Sequence, residues 1–214
     1  MTAQRSRERS LELIDKLKGH ERTDPYHIVR LREEILRDGC QRDPITIDAK
    51  TNVILDGHHR AEIFKAMNLS LIAVHRVDYN SPDILVRTWV PMVNVEPQAI
   101  AKELGSNSEA DPTDNTSTIT LVWNEGERKL SGTREQVMNS IVGKFPIVYV
   151  RDESEARTLV RLGKAKAFLV LPVVTKEDVI RSALSGNKMP PKTTRHVFAR
   201  KPRPVFVPLH DLSR

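Results

Sequence analysis

The stretch Val53-Ile54-Leu55-Asp56-Gly57-His58-His59-Arg60 constrains this chain more than any other. Three apolar strand formers run directly into Asp-Gly, and Ala61, Ile63, Phe64, Ala66 and Met67 then recur at helical spacing. A buried strand must therefore become a helix within about two residues. Gly57 lets a ligand approach the backbone closely. The first N–H groups of the helix have no internal partners and carry the positive end of its dipole, which makes the turn a ready anion site. Arg60 adds a planar charged fork, and His58 and His59 add further donors. Asp56 can cap the helix, hold a metal ion or orient a substrate group. A zinc ion shared by His58 and His59 is disfavoured, because adjacent helical side chains point about 100° apart.

The flanking elements read as a compact α+β unit over residues 11–95. Leu11, Leu13, Ile14 and Leu17 give a short strand that leads into the loop Gly19-His20-Glu21-Arg22-Thr23-Asp24. Asp24-Pro25 places a cap residue before a proline at the first helical position, and Gly39 ends that helix. Residues 44–48 and 53–55 read as a hairpin, and 71–77 as a further strand. The pattern changes near Glu96-Pro97. Residues 98–104 form a short helix, 105–116 an exposed polar loop, and 119–123 a strand. Thr133 and Asp152 cap two helices, with strands at 147–150 and 167–171 and a last helix from Thr175 to Gly186. This alternation predicts a smaller α/β domain over 96–214.

Charge is distributed unevenly. The net charge is +6, and residues 186–214 hold seven Lys/Arg against a single acid, Asp211, so the rest of the chain is balanced. That segment also has Val197, Phe198, Val205, Phe206, Val207 and Leu209, which a purely solvated tail would not need. It is expected to be extended and docked on the body. Within it, Lys192, Thr193, Thr194, Arg195 and His196 could all donate to phosphate or carboxylate oxygens. Two further candidates stand elsewhere. Glu21, on its loop, could act as a general base toward a substrate hydroxyl. Trp89, in Thr88-Trp89-Val90-Pro91, could wall a ligand pocket or fill the core.

Composition removes several classes. Residues 39% hydrophobic and 29% charged can build a core. No apolar run approaches the ~20 residues of a membrane span, and the polar start lacks the apolar stretch of a signal peptide. A single cysteine, Cys40, excludes an internal disulfide framework and a cysteine-rich zinc module. A cytoplasmic setting is expected.

Taken together, these motifs resemble a known family. The 11–95 unit, with Ile54-Leu55-Asp56-Gly57-His58-His59-Arg60, is similar to the ParB/sulfiredoxin fold, in which this turn holds nucleotide phosphates. Within that fold the chain resembles the free L-serine kinases, which form O-phospho-L-serine. Lys18-Gly19-His20-Glu21 matches the stretch carrying their catalytic glutamate, although the residue before the histidine is often Pro there and is Gly19 here. Thr88-Trp89-Val90-Pro91 and the more specific Pro191-Lys192-Thr193-Thr194-Arg195-His196-Val197 match two further stretches. Residues 99–150 match only in general pattern.

The resemblance implies a Mg²⁺-dependent phosphotransferase that uses ATP or ADP and serves amino-acid metabolism, cysteine formation included. Glu21 would be the general base. Asp56 would place the hydroxyl or Mg²⁺. Gly57, His58, His59 and Arg60, assisted by Lys192 and Thr193, would hold the phosphates. Trp89, Thr194, Arg195 and His196 would shape the serine and phosphate pocket. Phosphoryl transfer needs mainly positioning and charge neutralisation, and the chain has neither a Walker loop nor the protein-kinase motifs. The alternative is a ParB-like DNA-binding regulator, but no helix-turn-helix pair follows the first unit and nucleic acid is not the expected partner. A sulfiredoxin-like reductase would need a cysteine in the turn, and Cys40 lies elsewhere.

Overall fold

The computed structural model describes residues 10–105, 118–200 and 202–213. The polar loop expected at 105–116 and the chain start therefore lie largely outside the described residues. Along the chain the elements are β1 (Leu11–Leu13), α1 (Pro25–Asp38), β2 (Cys40–Gln41), β3 (Ile45–Asp48), β4 (Ile54–Asp56), α2 (His58–Ala66) and β5 (Leu71–Val77). There follow β6 (Ile84–Arg87), β7 (Val90–Val93), α3 (Pro97–Gly105), β8 (Thr118–Trp123), β9 (Gly126–Ser131), α4 (Arg134–Ile141), β10 (Ile147–Val150), α5 (Glu153–Arg161) and β11 (Ala167–Val170). The chain closes with α6 (Lys176–Ser185), β12 (Arg195–Phe198) and β13 (Val207–Pro208). No described helix is long and apolar enough to cross a membrane.

Backbone contacts group these elements into two compact units. One comprises Met1–Leu85, Lys176–Pro191 and His196–Arg214, and the other Val86–Thr175 with Lys192–Arg195. This grouping differs from a single cut near residue 95, because α6 and most of the C-terminal segment return to the first unit.

The first unit is built on a mixed sheet of order β1-β5-β3-β4. β3 pairs with β5 in parallel and with β4 antiparallel. α1 starts where the sequence places it: Asp24 accepts a hydrogen bond from the Tyr26 N–H, Pro25 is the first helical residue, and Gly39 ends the helix at φ 65°. The core is dry, with Ile45, Ile47, Ile63, Phe64 and Ile72 fully buried. Burying one such side chain contributes about 1.5–3 kcal/mol. The expected docking of the tail is observed within this unit. β13 pairs antiparallel with β2, and Val207 and Leu212 are buried in the same core.

The second unit departs from expectation in one respect. Its sheet, of order β10-β7-β11-β8-β9, is antiparallel at every pairing. It is therefore α+β and not the parallel α/β arrangement. Alternation along the sequence specifies which elements occur, not the direction in which a helix returns the chain. Both faces of its central strands β7 and β11 are covered, and these strands read as unbroken apolar runs. Leu121 and Leu169 face the α3 and α4 side, and Val122 and Phe168 face α5. α4 carries a capping box between Thr133 and Gln136.

Candidate active site

The strand β4 passes into α2 at Gly57, at the strand-to-helix switch read from the sequence. Gly57 sits at φ 100°, ψ 24° and is the cap residue of α2. A Cβ added there would lie 2.5 Å from Ile45 Cγ2, so the position excludes any side chain. α2 has no side-chain cap bond and no acid in its first turn. Its leading N–H groups thus keep their positive end uncompensated by side chains. Asp56 does not cap the helix. It is exposed and forms an ion pair with Arg60 at 2.8 Å. Arg60 in turn donates Nη1 to the Asp43 and Pro44 carbonyls, so much of its fork is engaged in holding the turn.

The two histidines of the turn reach back to the loop that carries Glu21. The His20 main-chain N–H donates to His58 Nε2 at 3.3 Å, and the Asp24 N–H donates to His59 Nε2 at 3.0 Å. Glu21 lies between these two anchors. Its peptide is also held from the other side, where the Met189 N–H donates to the His20 carbonyl and the Arg22 N–H to the Met189 carbonyl, both at 2.9 Å. Sequence reading treated His58 and His59 as phosphate donors only. Their Nε2 atoms accept, which leaves Nδ1 of each neutral ring as the donor.

A cluster of imidazoles, His20 buried and His58 and His196 half-buried, lies at the turn. His20 is fully buried, and its Nδ1 donates to the Ile54 carbonyl at 2.9 Å. His196 Nε2 accepts from the Tyr79 hydroxyl at 2.7 Å, leaving its other ring nitrogen to donate to the Leu55 carbonyl. Burial lowers the His20 pKa to about 4, opposed by the bond to Ile54. Burial and then the neighbouring His20 lower that of His196 to about 3. Burial, followed by the charges of His20, His196, His59 and Lys188, holds His58 well below its ordinary value. All three rings are neutral near pH 7. His196, expected at the substrate, has both ring nitrogens engaged within the fold.

Sequence reading missed several supports. Tyr79, buried and with its phenol pKa raised by burial, bonds His196. Lys176, the first residue of α6, donates to the Tyr79 and Ser81 carbonyls. Ser182 Oγ lies 3.0 Å from the His20 carbonyl oxygen and 2.7 Å from that of Asn187. These residues are separated from the turn by up to 130 positions, and no local pattern connects them to it.

A small cavity of about 90 Å³ opens beside Glu21 and is bounded by Gly19, His58, Glu62, Lys65 and Lys188. Glu21 is largely shielded, and its Oε2 lies 4.0 Å from His20 Nε2. Glu21 and the flank of α2 that carries His58, Ala61, Glu62 and Lys65 thus face one space. Among the described residues no group of three or more His, Cys, Asp or Glu side chains could hold a metal ion. Asp56 offers one exposed carboxylate at the turn, which suits an ion carried mainly by phosphate oxygens rather than an all-protein cage.

The remaining candidates belong to the second unit. Lys192 adopts φ 61°, and its Nζ lies 5.2 Å from the centre of the Trp89 ring. Arg195 Cζ lies 5.8 Å from the same centre. Two cations flanking one indole create a strongly positive locality. Arg195 Nε is buried without a hydrogen-bond partner among the described residues, a costly state in the absence of an anion. Thr193 and Thr194 are buried beside them in sequence. Cys40 is half-buried on β2, away from the turn in sequence.

Several known proteins are similar to this chain over most of its length. No family model matches the chain. It is 29% identical to an ATP-dependent L-serine kinase of Desulfurococcus mucosus, over 93% of this chain and 89% of that protein. It is 24% identical to the ADP-dependent L-serine kinase SerK of Thermococcus kodakarensis, over 93% and 90% of the two chains. A solved free serine kinase in complex with AMP superposes with a TM-score of 0.82 at 24% identity, covering 95% of this chain and 92% of the other. The structural likeness extends through both units.

Proposed function

We infer that this chain, a homologue of the free L-serine kinases, is itself one: it transfers a phosphoryl group from ATP or ADP to the hydroxyl of L-serine. The observation that carries this reading is the bracing of the Glu21 loop on the turn: the His20 and Asp24 N–H groups on either side of Glu21 donate to His58 and His59, the first two residues of the uncapped α2. The nucleotide phosphates lie at the turn, against the leading N–H groups of α2 and the Nδ1–H groups of His58 and His59. The hydroxyl oxygen of serine attacks the terminal phosphorus. The new O–P bond forms as the bond from that phosphorus to the bridging oxygen breaks. Glu21 takes the hydroxyl proton, and the nucleotide leaves one phosphate shorter.

Most of the acceleration comes from position and charge, since phosphoryl transfer asks little covalent work of the protein. The bonds from His20 and Asp24 to the turn's histidines support this role, because they tie the base to the phosphate site. Mg²⁺, carried by the phosphates with Asp56 as its protein ligand, would neutralise phosphate charge. Trp89, Thr194 and Arg195 are assigned to serine and its phosphate, and Lys192 and Thr193 to phosphate. The unpaired Arg195 Nε favours an anionic ligand there. His196 is better assigned to holding Leu55 than to contacting substrate. A cytoplasmic setting is part of the same reading.

Phosphorus NMR of the protein with Mg²⁺ and L-serine, run separately with ATP and ADP, tests the proposal. A phosphomonoester signal matching O-phosphoserine is expected with at least one donor. Its absence with both, despite nucleotide binding, overturns it. Glu21→Gln is expected to lower kcat by about 10²–10⁴, the usual scale for losing an acid–base group.

A further inference from the structure

The segment that holds Glu21 also brings a second charged group to the same cavity. Met189 brackets the Glu21 peptide through its N–H and carbonyl, and the residue before it is Lys188. Ser182 anchors this segment to α6 through the carbonyl of Asn187 and reaches the His20 carbonyl from the same atom. The backbone of Lys188 is therefore held between two fixed neighbours. Its side chain crosses over Gly19: a Cβ added at Gly19 would meet Lys188 Cε at 3.8 Å and His58 Cδ2 at 3.4 Å. The lysine stem, the His58 ring and the Gly19 backbone thus meet at one point. Lys188, Glu21 and His58 all border the cavity.

A carboxylate that accepts a proton and a helix head that binds phosphate both address the moving phosphoryl group. A lysine bordering the same small space, with its stem over Gly19, brings positive charge to where negative charge accumulates during transfer. We propose that Lys188 is a further catalytic residue, whose ammonium contacts the oxygens of the transferred phosphoryl group. This assignment rests on the kinase reading. It places the cation three positions before Pro191, upstream of the Lys192–His196 motif.

The test uses the full-length Lys188→Met and Lys188→Arg variants beside wild type, with ATP and AMP as probes. Lys188 is exposed, so neither change should disturb the core. Lys188→Met should lower kcat by about 10²–10³, the scale seen when one transition-state donor is removed. KM for L-serine should stay within about threefold, and Lys188→Arg should restore about tenfold of the loss. Affinity for ATP should fall about tenfold in Lys188→Met while affinity for AMP stays within about twofold, the difference lying in the phosphates removed from the probe. A kcat within about threefold of wild type, with unchanged ATP affinity, overturns the role of Lys188 and leaves the kinase reading standing. If wild type forms no phosphoserine, the kinase reading falls, and equal loss of ATP and AMP affinity, or none, overturns the lysine–phosphoryl contact independently.

Discussion

Both units of this chain have an apolar core, but only the first adds a set of histidines to it. All seven histidines lie in the first unit, and behind the turn at Gly57 the buried His20 is hydrogen-bonded to His58 and in ring contact with His196. The second unit has no histidine. Its sheet is held by apolar contact on both faces, around Phe168 on one side and Leu121 and Leu169 on the other. A polar network specifies geometry because each donor must find its acceptor, and an unmet group costs about 1–3 kcal/mol. A dry core is ordered by shape and volume, and it is indifferent to protons. The proposed base and phosphate turn lie in the unit that adds directional bonds to its core.

This contrast can be broken most severely in the dry core. Phe168→Ala should destabilise the protein by about 3–5 kcal/mol, the cost of a large buried cavity. Chemical denaturation at neutral pH measures it, and a loss under about 1 kcal/mol would mean the second sheet collapses around the gap. The next effect falls on the turn. Gly57→Ala meets Ile45 at 2.5 Å and forces a left-handed backbone on alanine. A loss of about 1–3 kcal/mol is expected from strain and overpacking. ADP affinity, read by calorimetry, should fall at least about tenfold, since 1.4 kcal/mol of misplacement suffices for that. Undiminished binding would separate the turn from the nucleotide.

Acid sharpens the comparison further. In the unfolded chain these imidazoles take up protons near pH 6.5, but in the folded chain only near 4 for His20 and 3 for His196. Between those values the unfolded state binds more protons, so stability rises with pH and is lost on acidification below about 6.5. The slope is about 1.4 kcal/mol per pH unit for each ring. Hydrogen exchange between pH 7 and 5 should therefore loosen amides of the first unit, around Ile54 and Leu55, before those of β8 and β11. Uniform loosening in both units would contradict the assignment of the effect to the histidines. The smallest expected effect is that of Tyr79→Phe, which removes one buried hydroxyl bonded to His196 at 2.7 Å. It should cost about 0.5–1.5 kcal/mol, with kcat reduced by less than about tenfold.

Much of this molecule is legible from short stretches. The Asp24-Pro25 start and Gly39 stop of α1, the strand-turn-helix at 53–60, the hairpin before it and the Thr133 cap of α4 all stand where local chemistry places them. The short strands β6, β9 and β12 were not legible. β9 is largely polar, and β12 contains a signature that reads as binding residues. Their strand character comes from a partner rather than from their own residues. The same applies at the site: Glu21, the turn and Trp89 are visible as residue types, but the roles of Arg60 and His196 are not.

What the sequence by itself determined is therefore the inventory and the local conformations. The caps of α1, α4 and α5 at Asp24, Thr133 and Asp152 follow from residues within four positions of one another, because backbone preferences and helical bonds act over that range. What only the tertiary structure decided is which groups meet. His58 accepts from an amide 38 residues away, and Tyr79 reaches a histidine 117 residues away. Met189 braces Glu21 from the far end of the chain. The direction of every strand in the second sheet belongs to the same class. Each is a non-local pairing, selected by burial and by the need to satisfy every enclosed donor and acceptor at once.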